Sequence, residues 1–266
     1  MDSAQLATLV ELGEAEAYAD MFAAAPAEWG LRVERLGAAI ALIAPPFDAM
    51  LFNRVLGLGV IEPVSEAQLA ESMALYRQAS LRHFGIQLSP IARPPAVPDW
   101  IRACGLQQAD NWAKVYRAAA EPIEIHSALR VEAIGREYAA DFGRVVCAAF
   151  GMPTALQPWL ENLVGRANWR TYLAFDGEQP VAAGALFVRG KVGWLGIAGT
   201  LPAYRRHGGQ GALMAQRIRD AAGLGCHWVI TETDEDSAER PNPSYHNMLR
   251  TGFILAYQRP NYLPEV

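Results

Sequence analysis

Apolar and polar residues along this chain follow two periods, one helical and one extended. Residues 4–25 place apolar side chains at helical spacing and predict an amphipathic helix. Residues 67–80 predict a second helix with Ser65 as its N-cap, and 97–104 predict a short third one. Strands are predicted for the apolar runs at 31–45, 51–60, 84–88 and 112–116.

The second half of the chain repeats this order of elements. The predicted order is a strand at 192–201, a helix at 210–222, a strand at 226–231, a short helix at 244–250 and a last strand opening at 252–253. The repeat predicts a duplicated α/β unit with domains of residues 1–120 and 121–266. In the helix at 210–222, one face is apolar and Arg217 falls off that face.

Length and composition fit two globular domains. The chain has 266 residues, and 52% of them are hydrophobic. A net charge of −5 argues against a nucleic-acid surface and favours a neutral or cationic substrate. The sequence predicts neither a secretory leader nor a membrane span, and its three cysteines are widely spaced without a metal-binding pattern. These features predict a cytoplasmic protein with buried, reduced thiols, no bound metal and no membrane partner.

A glycine-rich loop lies between the predicted strand at 192–201 and the helix that follows it. Glycines at 208, 209 and 211 let consecutive backbone N–H groups turn toward one point at the positive end of the helix. A phosphate loop of the Walker type would need Lys-Ser or Lys-Thr after Gly211, where the sequence has Ala212-Leu213. A dinucleotide fingerprint would need glycine or alanine at Met214. The loop is therefore interpreted as an anion site of another kind.

This segment resembles motif A of the GNAT superfamily of acyl-CoA-dependent N-acyltransferases, in which Arg/Gln-x-x-Gly-x-Gly/Ala follows a strand. One register begins at Arg206 and matches the literal pattern, with Gly209 and Gly211 as its glycines. The other begins at Arg205 and is preferred, because the distance from the strand end then places Gly208 and Gln210 at the two glycine positions. In both registers the amides of residues 206–211 face the pyrophosphate of CoA.

The resemblance implies an α/β fold of two GNAT-like mixed-sheet domains in tandem, the first of them degenerate. It also implies that two strands splay apart beside Ala198, Gly199 and Thr200, whose backbone would pair with the pantetheine arm. Acetyl-CoA is the implied co-substrate. The residues implied to bind it in the loop are Arg205, Arg206, His207, Gly208, Gly209, Gln210 and Gly211.

A second family motif is matched by residues 242–253. Asn242, a short helix and Gly252-Phe253 are present, and the resemblance gives Asn242 a role in cofactor binding. Met248 stands where the family has the tyrosine that protonates the departing thiolate. Tyr245, one turn earlier on the same helix, is the predicted substitute.

The predicted chemistry requires a base. An alkyl ammonium with a pKa near 10.4 is only roughly one part in 10³ neutral at pH 7, so a base or a desolvating pocket must deprotonate it. The strand at 191–201 carries no carboxylate, and Glu232 is the first acid at the end of the next strand. Glu232 is therefore the predicted general base, although residues 231–236 are also compatible with a solvated acidic loop.

Three functions are compatible with these residues. The first is an N-acetyltransferase that moves an acetyl group to a primary amine of a small molecule by direct transfer in a ternary complex. The second is a non-catalytic acyl-CoA-binding regulatory module, and the third is a protein N-acetyltransferase. A homodimer is left open as the assembly.

Overall fold

A computed structural model describes residues 1–121 and 123–265 as two compact units. The N-terminal unit contains Met1–Lys114, Thr233–Asn242 and the chain from Leu255 onward, and the C-terminal unit contains Val115–Glu232 and Pro243–Ile254. The domain boundary that the sequence analysis places between residues 120 and 121 stays a prediction. The return of two later segments to the N-terminal unit was not expected from the sequence.

The N-terminal unit is a mixed sheet with three helices. The helices are α1 (Ser3–Phe22), α2 (Glu66–Gln78) and α3 (Val97–Ala103). The first strands are β1 (Arg32–Leu36), β2 (Ala39–Ile43), β3 (Arg54–Leu56), β4 (Gly85–Gln87) and β5 (Leu106–Ala118). The strands β1, β2 and β3 are antiparallel neighbours, β3 and β4 are parallel, and β4 pairs with the last strand of the chain, β11 (Ile254–Pro264).

Local sequence signals explain where these elements begin and turn. The predicted N-cap of α2 is confirmed: the Gln68 backbone N–H donates to Ser65 Oγ at 3.2 Å, and the Ser65 N–H donates to Gln68 Oε1 at 2.9 Å. The single strand predicted at 31–45 is wrong. It is the hairpin of β1 and β2, because Gly37 adopts a φ of +66° at the turn between them.

The C-terminal unit also combines parallel and antiparallel strands with helices. Its strands are β6 (Arg130–Ala133), β7 (Trp169–Asp176), β8 (Gln179–Arg189), β9 (Val192–Thr200) and β10 (Trp228–Asp234). Its helices are α4 (Ala139–Phe150), α5 (Gln157–Glu161), α6 (Gly209–Gly223) and α7 (Pro243–Arg250). The sheet order is β10-β9-β8-β7-β6, with β9 and β10 parallel and the other pairs antiparallel.

The two units share one topological pattern. In each unit three successive antiparallel strands lead into a helix, and the next strand returns parallel to the third. The helix is α2 in the N-terminal unit and α6 in the C-terminal unit. The predicted fold class, two mixed-sheet α/β units in tandem, is confirmed.

The core of the C-terminal unit lies between its sheet and α6. Leu213, Met214, Ile218 and Ala221 are buried there, and the last three belong to the face that the helical periodicity predicts to be apolar. Among the described residues there is no disulfide. Cys147 and Cys226 are buried, and burial raises the pKa of both thiols, whereas Cys104 is only half-buried.

The helices of the two units are short or carry polar side chains. Over residues 1–121 and 123–265, no helix is both long enough and apolar enough to cross a membrane. In the same described ranges, no three side chains of His, Cys, Asp or Glu are grouped so that they could hold a metal ion.

Candidate active site

The glycine-rich loop joins β9 to α6 through two backbone positions with positive φ. Arg206 has a φ of +68° and Gly208 a φ of +80°, and α6 begins at Gly209. Loops with such conformations form concave groups of backbone N–H donors. The first N–H groups of a helix have no acceptor within the helix, and the N-cap residue of α6, Gly208, has no side chain that could accept from them. The loop therefore leaves backbone donors available to an anion.

The basic side chains of the loop differ in their surroundings. Arg205 donates from Nη2 to the carbonyl oxygen of Ala149 at 3.2 Å, near the end of α4. Arg206 and His207 are exposed, and the His207 ring lies 6.4 Å from the Tyr204 ring. Arg205 is thus partly engaged in holding the loop to α4, while Arg206 and His207 lie on the surface.

The glycines of the loop have close neighbours, and Gly208 is also favoured by its positive φ. A Cβ on Gly208 would lie 3.3 Å from Ser127 Oγ, and a Cβ on Gly211 would lie 3.3 Å from Ile125. Gly209 is buried, and a Cβ there would lie 3.1 Å from Leu129. Residues 125–129 therefore pack along the start of α6, a contact that the sequence analysis missed.

Gln210 ties α6 to α7. Its Nε2 donates to Ser244 Oγ at 3.1 Å, and its Oε1 accepts from Asn247 Nδ2 at 2.8 Å. Both polar ends of the Gln210 side chain are thereby used within the protein. The side chain fixes the first turn of α7, which carries Tyr245, beside the start of α6.

The strands β9 and β10 separate after a short parallel stretch. Their register pairs Val192–Trp194 of β9 with Trp228–Ile230 of β10, although both strands continue beyond these residues. On its other side, β9 stays paired with β8 as far as Thr200, opposite Ala182. The splay expected beside residues 198–200 is therefore present in the described part of the chain.

The predicted pantetheine-binding residues lie at this splayed end of β9. Ala198, Gly199 and Thr200 are half-buried. A Cβ on Gly199 would lie 2.7 Å from the Ala149 Cβ and 3.1 Å from the Phe150 ring. The end of β9 therefore packs tightly against the last turn of α4, and the half-exposed Phe150 ring borders this part of the site.

Glu232 lies on β10 just beyond the paired stretch. It is half-buried, and the Trp194 indole N–H lies 3.2 and 3.1 Å from its two carboxylate oxygens. Trp194 is the last residue of β9 that pairs with β10. The contact therefore orients the Glu232 carboxylate at the point where the strands part.

Tyr245 and Met248 occupy neighbouring turns of α7. Met248 is buried in the core of the C-terminal unit. Tyr245 is half-buried, packs against the same core and has its ring 6.2 Å from the His246 ring. Tyr245 is thus the more accessible of the two, while Met248 serves packing.

Asn242 has a local structural role. Its Nδ2 donates to Thr233 Oγ1 at 3.0 Å and to the Asp234 carbonyl oxygen at 2.6 Å, and its backbone N–H donates to Asp236 Oδ1 at 2.6 Å. Asn242 and these partners all belong to the N-terminal unit. The described contacts of Asn242 therefore close the loop after β10.

Arg217 is a buried cation that the sequence analysis placed off the apolar face of α6. Only 1% of the residue is exposed. The spacing contained a signal, because Leu213 and Ala221, four residues before and after it, are both buried on the sheet side. A charged residue that lies between two apolar residues on the same face of a helix, four positions from each, indicates a charge that is buried and hydrogen-bonded.

Comparison with solved structures identifies the fold. A GCN5-related N-acetyltransferase from Kribbella flavida is 15% identical and aligns over 99% of this chain and 96% of its own, with a TM-score of 0.66. One from Sphaerobacter thermophilus is 12% identical over 84% and 79%, with a TM-score of 0.60. A tandem GNAT protein from the clavulanic acid biosynthesis pathway is 15% identical over 84% and 77%, with a TM-score of 0.58.

These comparisons define the class of fold rather than a particular protein. The chain has the fold of the GCN5-related N-acetyltransferases over nearly its whole length. At sequence level, no family model matches and no curated protein matches.

Proposed function

We propose that this protein transfers the acetyl group of acetyl-CoA to a primary amine of a small molecule, within a ternary complex. The observation that carries the proposal is the uncapped start of α6 next to the splayed ends of β9 and β10. The start of α6 can bind a pyrophosphate through backbone N–H groups. The splayed strand ends leave backbone edges that can pair with the pantetheine arm.

The corresponding loop of the N-terminal unit supports the assignment by contrast. There the start of α2 is closed by the Ser65–Gln68 capping box. The Val64 N–H donates to the Arg93 carbonyl oxygen at 2.9 Å, and Glu62 adds a negative charge. Because these donors already have acceptors and Glu62 repels phosphate, we infer that only the C-terminal unit binds the coenzyme.

The coenzyme contacts are proposed from the loop outward. Backbone N–H groups would hold the pyrophosphate, exposed basic side chains would approach the CoA phosphates, and the end of β9 would pair with the pantetheine. The residues given these roles are Arg205, Arg206, His207, Gly208, Gly209, Gln210, Gly211, Ala198, Gly199 and Thr200. Asn242 stays a sequence-based proposal, since its amide nitrogen is engaged locally.

In the proposed reaction the neutral amine attacks the thioester carbonyl carbon. A C–N bond forms, the C–S bond breaks and its electron pair leaves with sulfur. Glu232, or a water that it holds, accepts the amine proton. The Trp194 contact supports this role because it orients the carboxylate without neutralising its charge.

The departing thiolate requires less help than the amine. Thiols ionise near pH 8.5, so CoA can leave as the thiolate and take a proton from Tyr245 or from solvent. Most of the rate enhancement would come from holding amine and thioester together, an effect worth roughly 7 to 11 kcal/mol at best.

The test combines binding with turnover on the full chain. Calorimetry with acetyl-CoA measures binding, and release of free thiol with a panel of small amines and of peptides measures transfer. We expect binding and thiol release with small amines. Release only with peptides would favour a protein N-acetyltransferase, and binding without release would favour a regulatory module. Light scattering on the same sample tests the homodimer.

A further inference from the structure

A β-bulge interrupts β9 where it pairs with β8. The register places Gly184 of β8 opposite two residues of β9, Ile197 and Ala198. Ile197 has a φ of +53°, which is rare for a β-branched residue. Such a conformation persists only when its surroundings hold it, and such residues cluster at functional sites.

Arg217 holds this bulge from behind. Its Nε donates to the Leu213 carbonyl oxygen at 3.1 Å, within α6. Its Nη1 donates to the carbonyl oxygens of Ala185 at 3.1 Å and Gly196 at 3.3 Å. These last two residues border the bulge, one on each strand, so the guanidinium clamps both strands.

Gly184 and Arg217 fit each other in size. A Cβ on Gly184 would lie 3.2 Å from both Cζ and Nε of Arg217 and 3.4 Å from Nη1. Glycine opposite the bulge therefore makes the room that the guanidinium occupies.

The buried charge also polarises the bulge. Burial lowers the pKa of Arg217 to about 10, while the nearby Tyr172 raises it, so the guanidinium is still cationic at neutral pH. Its hydrogen bonds in this region end on carbonyl oxygens. A carbonyl group that accepts a hydrogen bond from a cation makes the N–H of the same peptide unit a stronger donor. The peptide unit that contains the Gly196 carbonyl also contains the N–H of Ile197.

We propose that Arg217 is a positioning residue for acetyl transfer, which fixes the bulge of β9 and strengthens the Ile197 N–H as a donor to the acetyl carbonyl oxygen. The inference rests on the proposed function, because the acetyl group is placed at the splayed end of β9. Negative charge that develops on the carbonyl oxygen during attack would then meet a rigid donor.

The first test follows the bulge without any ligand. Arg217→Met removes the hydrogen bonds, Arg217→Lys keeps the charge, and Gly184→Ala crowds the guanidinium while keeping it. In Arg217→Met, amide hydrogen exchange of the full chain should become tenfold or more faster at residues 196–198. In Arg217→Lys and Gly184→Ala the increase at these residues should be smaller. Exchange in β7 should remain unchanged in all three variants. Unchanged exchange at the bulge in both Arg217→Met and Gly184→Ala overturns the proposal.

The second test examines the bound thioester. With acetyl-CoA labelled with ¹³C at the acetyl carbonyl, the carbonyl stretch should shift to lower frequency in the wild-type protein and shift less in Arg217→Met. Acetyl-CoA affinity should stay within about twofold, because the cradle at α6 is unaltered, and kcat should fall about tenfold or more. An identical carbonyl shift in the two proteins contradicts the polarising role.

The two tests separate this inference from the proposed function. If the wild-type protein binds no acetyl-CoA, the proposed function fails, and hydrogen exchange at the bulge still decides whether Arg217 positions it. If the wild-type protein binds and transfers while Arg217→Lys and Arg217→Met keep full kcat, the positioning role fails and the proposed function stands.

Discussion

At Gly208, the backbone conformation favours glycine and the neighbouring side chain leaves little room for a Cβ. The residue has a φ of +80°, and a Cβ there would meet Ser127 Oγ at 3.3 Å. Gly208→Val should abolish acetyl-CoA binding, because the loop must shift to relieve strain of about 1 to 2 kcal/mol and the backbone donors then lose their common direction. Calorimetry with acetyl-CoA measures this loss.

Gly177 provides the matched control. It also has positive φ, +58°, in the turn between β7 and β8, but a Cβ there would meet nothing within 4 Å. Gly177→Val should therefore carry a similar conformational strain and retain acetyl-CoA binding. Full affinity in Gly208→Val would remove the loop from the site.

Glu232 is the residue on which the proposed proton transfer depends. Glu232→Gln keeps an oxygen acceptor for Trp194 but removes the base, so turnover near neutral pH should fall about 10²- to 10⁴-fold with acetyl-CoA affinity almost unchanged. The loss should shrink toward high pH, where the amine is already partly neutral. Steady-state kinetics across pH measure both effects.

A carboxylate elsewhere in the C-terminal unit controls for charge. The Glu178 side chain is 96% exposed in the turn between β7 and β8, so Glu178→Gln should leave turnover unchanged at every pH. A defect in Glu232→Gln that does not vary with pH would indicate a structural role instead.

Among the elements, α1 is attached to its sheet by charges rather than by apolar packing alone. Glu14 of α1 is fully buried, with Lys114 Nζ 2.8 Å from Oε2 and Arg259 Nη2 3.0 Å from Oε1. Arg259 also donates to Glu11, which is buried one turn earlier. These contacts join α1 to β5 and β11 within the N-terminal unit.

Removing the Glu14 charge should destabilise this unit strongly. Glu14→Gln removes the carboxylate that the buried cations Lys114 and Arg259 share, and breaking a buried pair from one side costs about 3 to 5 kcal/mol. Urea unfolding at neutral pH measures the change. The exposed Glu71 on α2 serves as control, and Glu71→Gln should change the free energy of unfolding by no more than about 0.5 kcal/mol.

The same cluster predicts a dependence of stability on pH. Burial by itself raises the pKa of Glu14. The nearby charges of Arg259 and Lys114 lower this pKa by more than burial raises it, so the pKa lies well below its ordinary value of 4.5. Because the folded-state pKa is the lower one, Glu14 stabilises the fold above pH 4.5 and loses this contribution as the pH falls. The difference between wild type and Glu14→Gln should therefore shrink below pH 4.5, and a constant difference would contradict the pairing.

At the scale of the whole molecule, two similar units are proposed to differ in function. At the start of α2, the Ser65–Gln68 capping box provides acceptors for backbone N–H groups. At the start of α6, the N-cap residue Gly208 has no side chain that could do so. Calorimetric titration of the full chain should therefore give one acetyl-CoA per chain, and none in Gly208→Val. A stoichiometry near two would assign a second site to the N-terminal unit.

Local patterns in the sequence determined the elements and the type of loop. Helical spacing and the capping residues predicted α1, α2 and α6, and the glycines before α6 predicted a turn that exposes backbone donors. These features depend on neighbours within a few residues along the chain. The repeat of element order likewise predicted two α/β units.

Only the tertiary structure decided which distant groups meet. It brought Gln210 to Ser244 and Asn247, oriented Glu232 through Trp194, and returned β11 to the N-terminal unit. It also buried the charges of Glu14 and Arg217, which a short window of sequence assigns to solvent because their compensating partners are supplied by other strands and helices. Periodicity reports which face of an element is apolar, whereas hydrogen-bond partners far along the chain are fixed only when the elements pack.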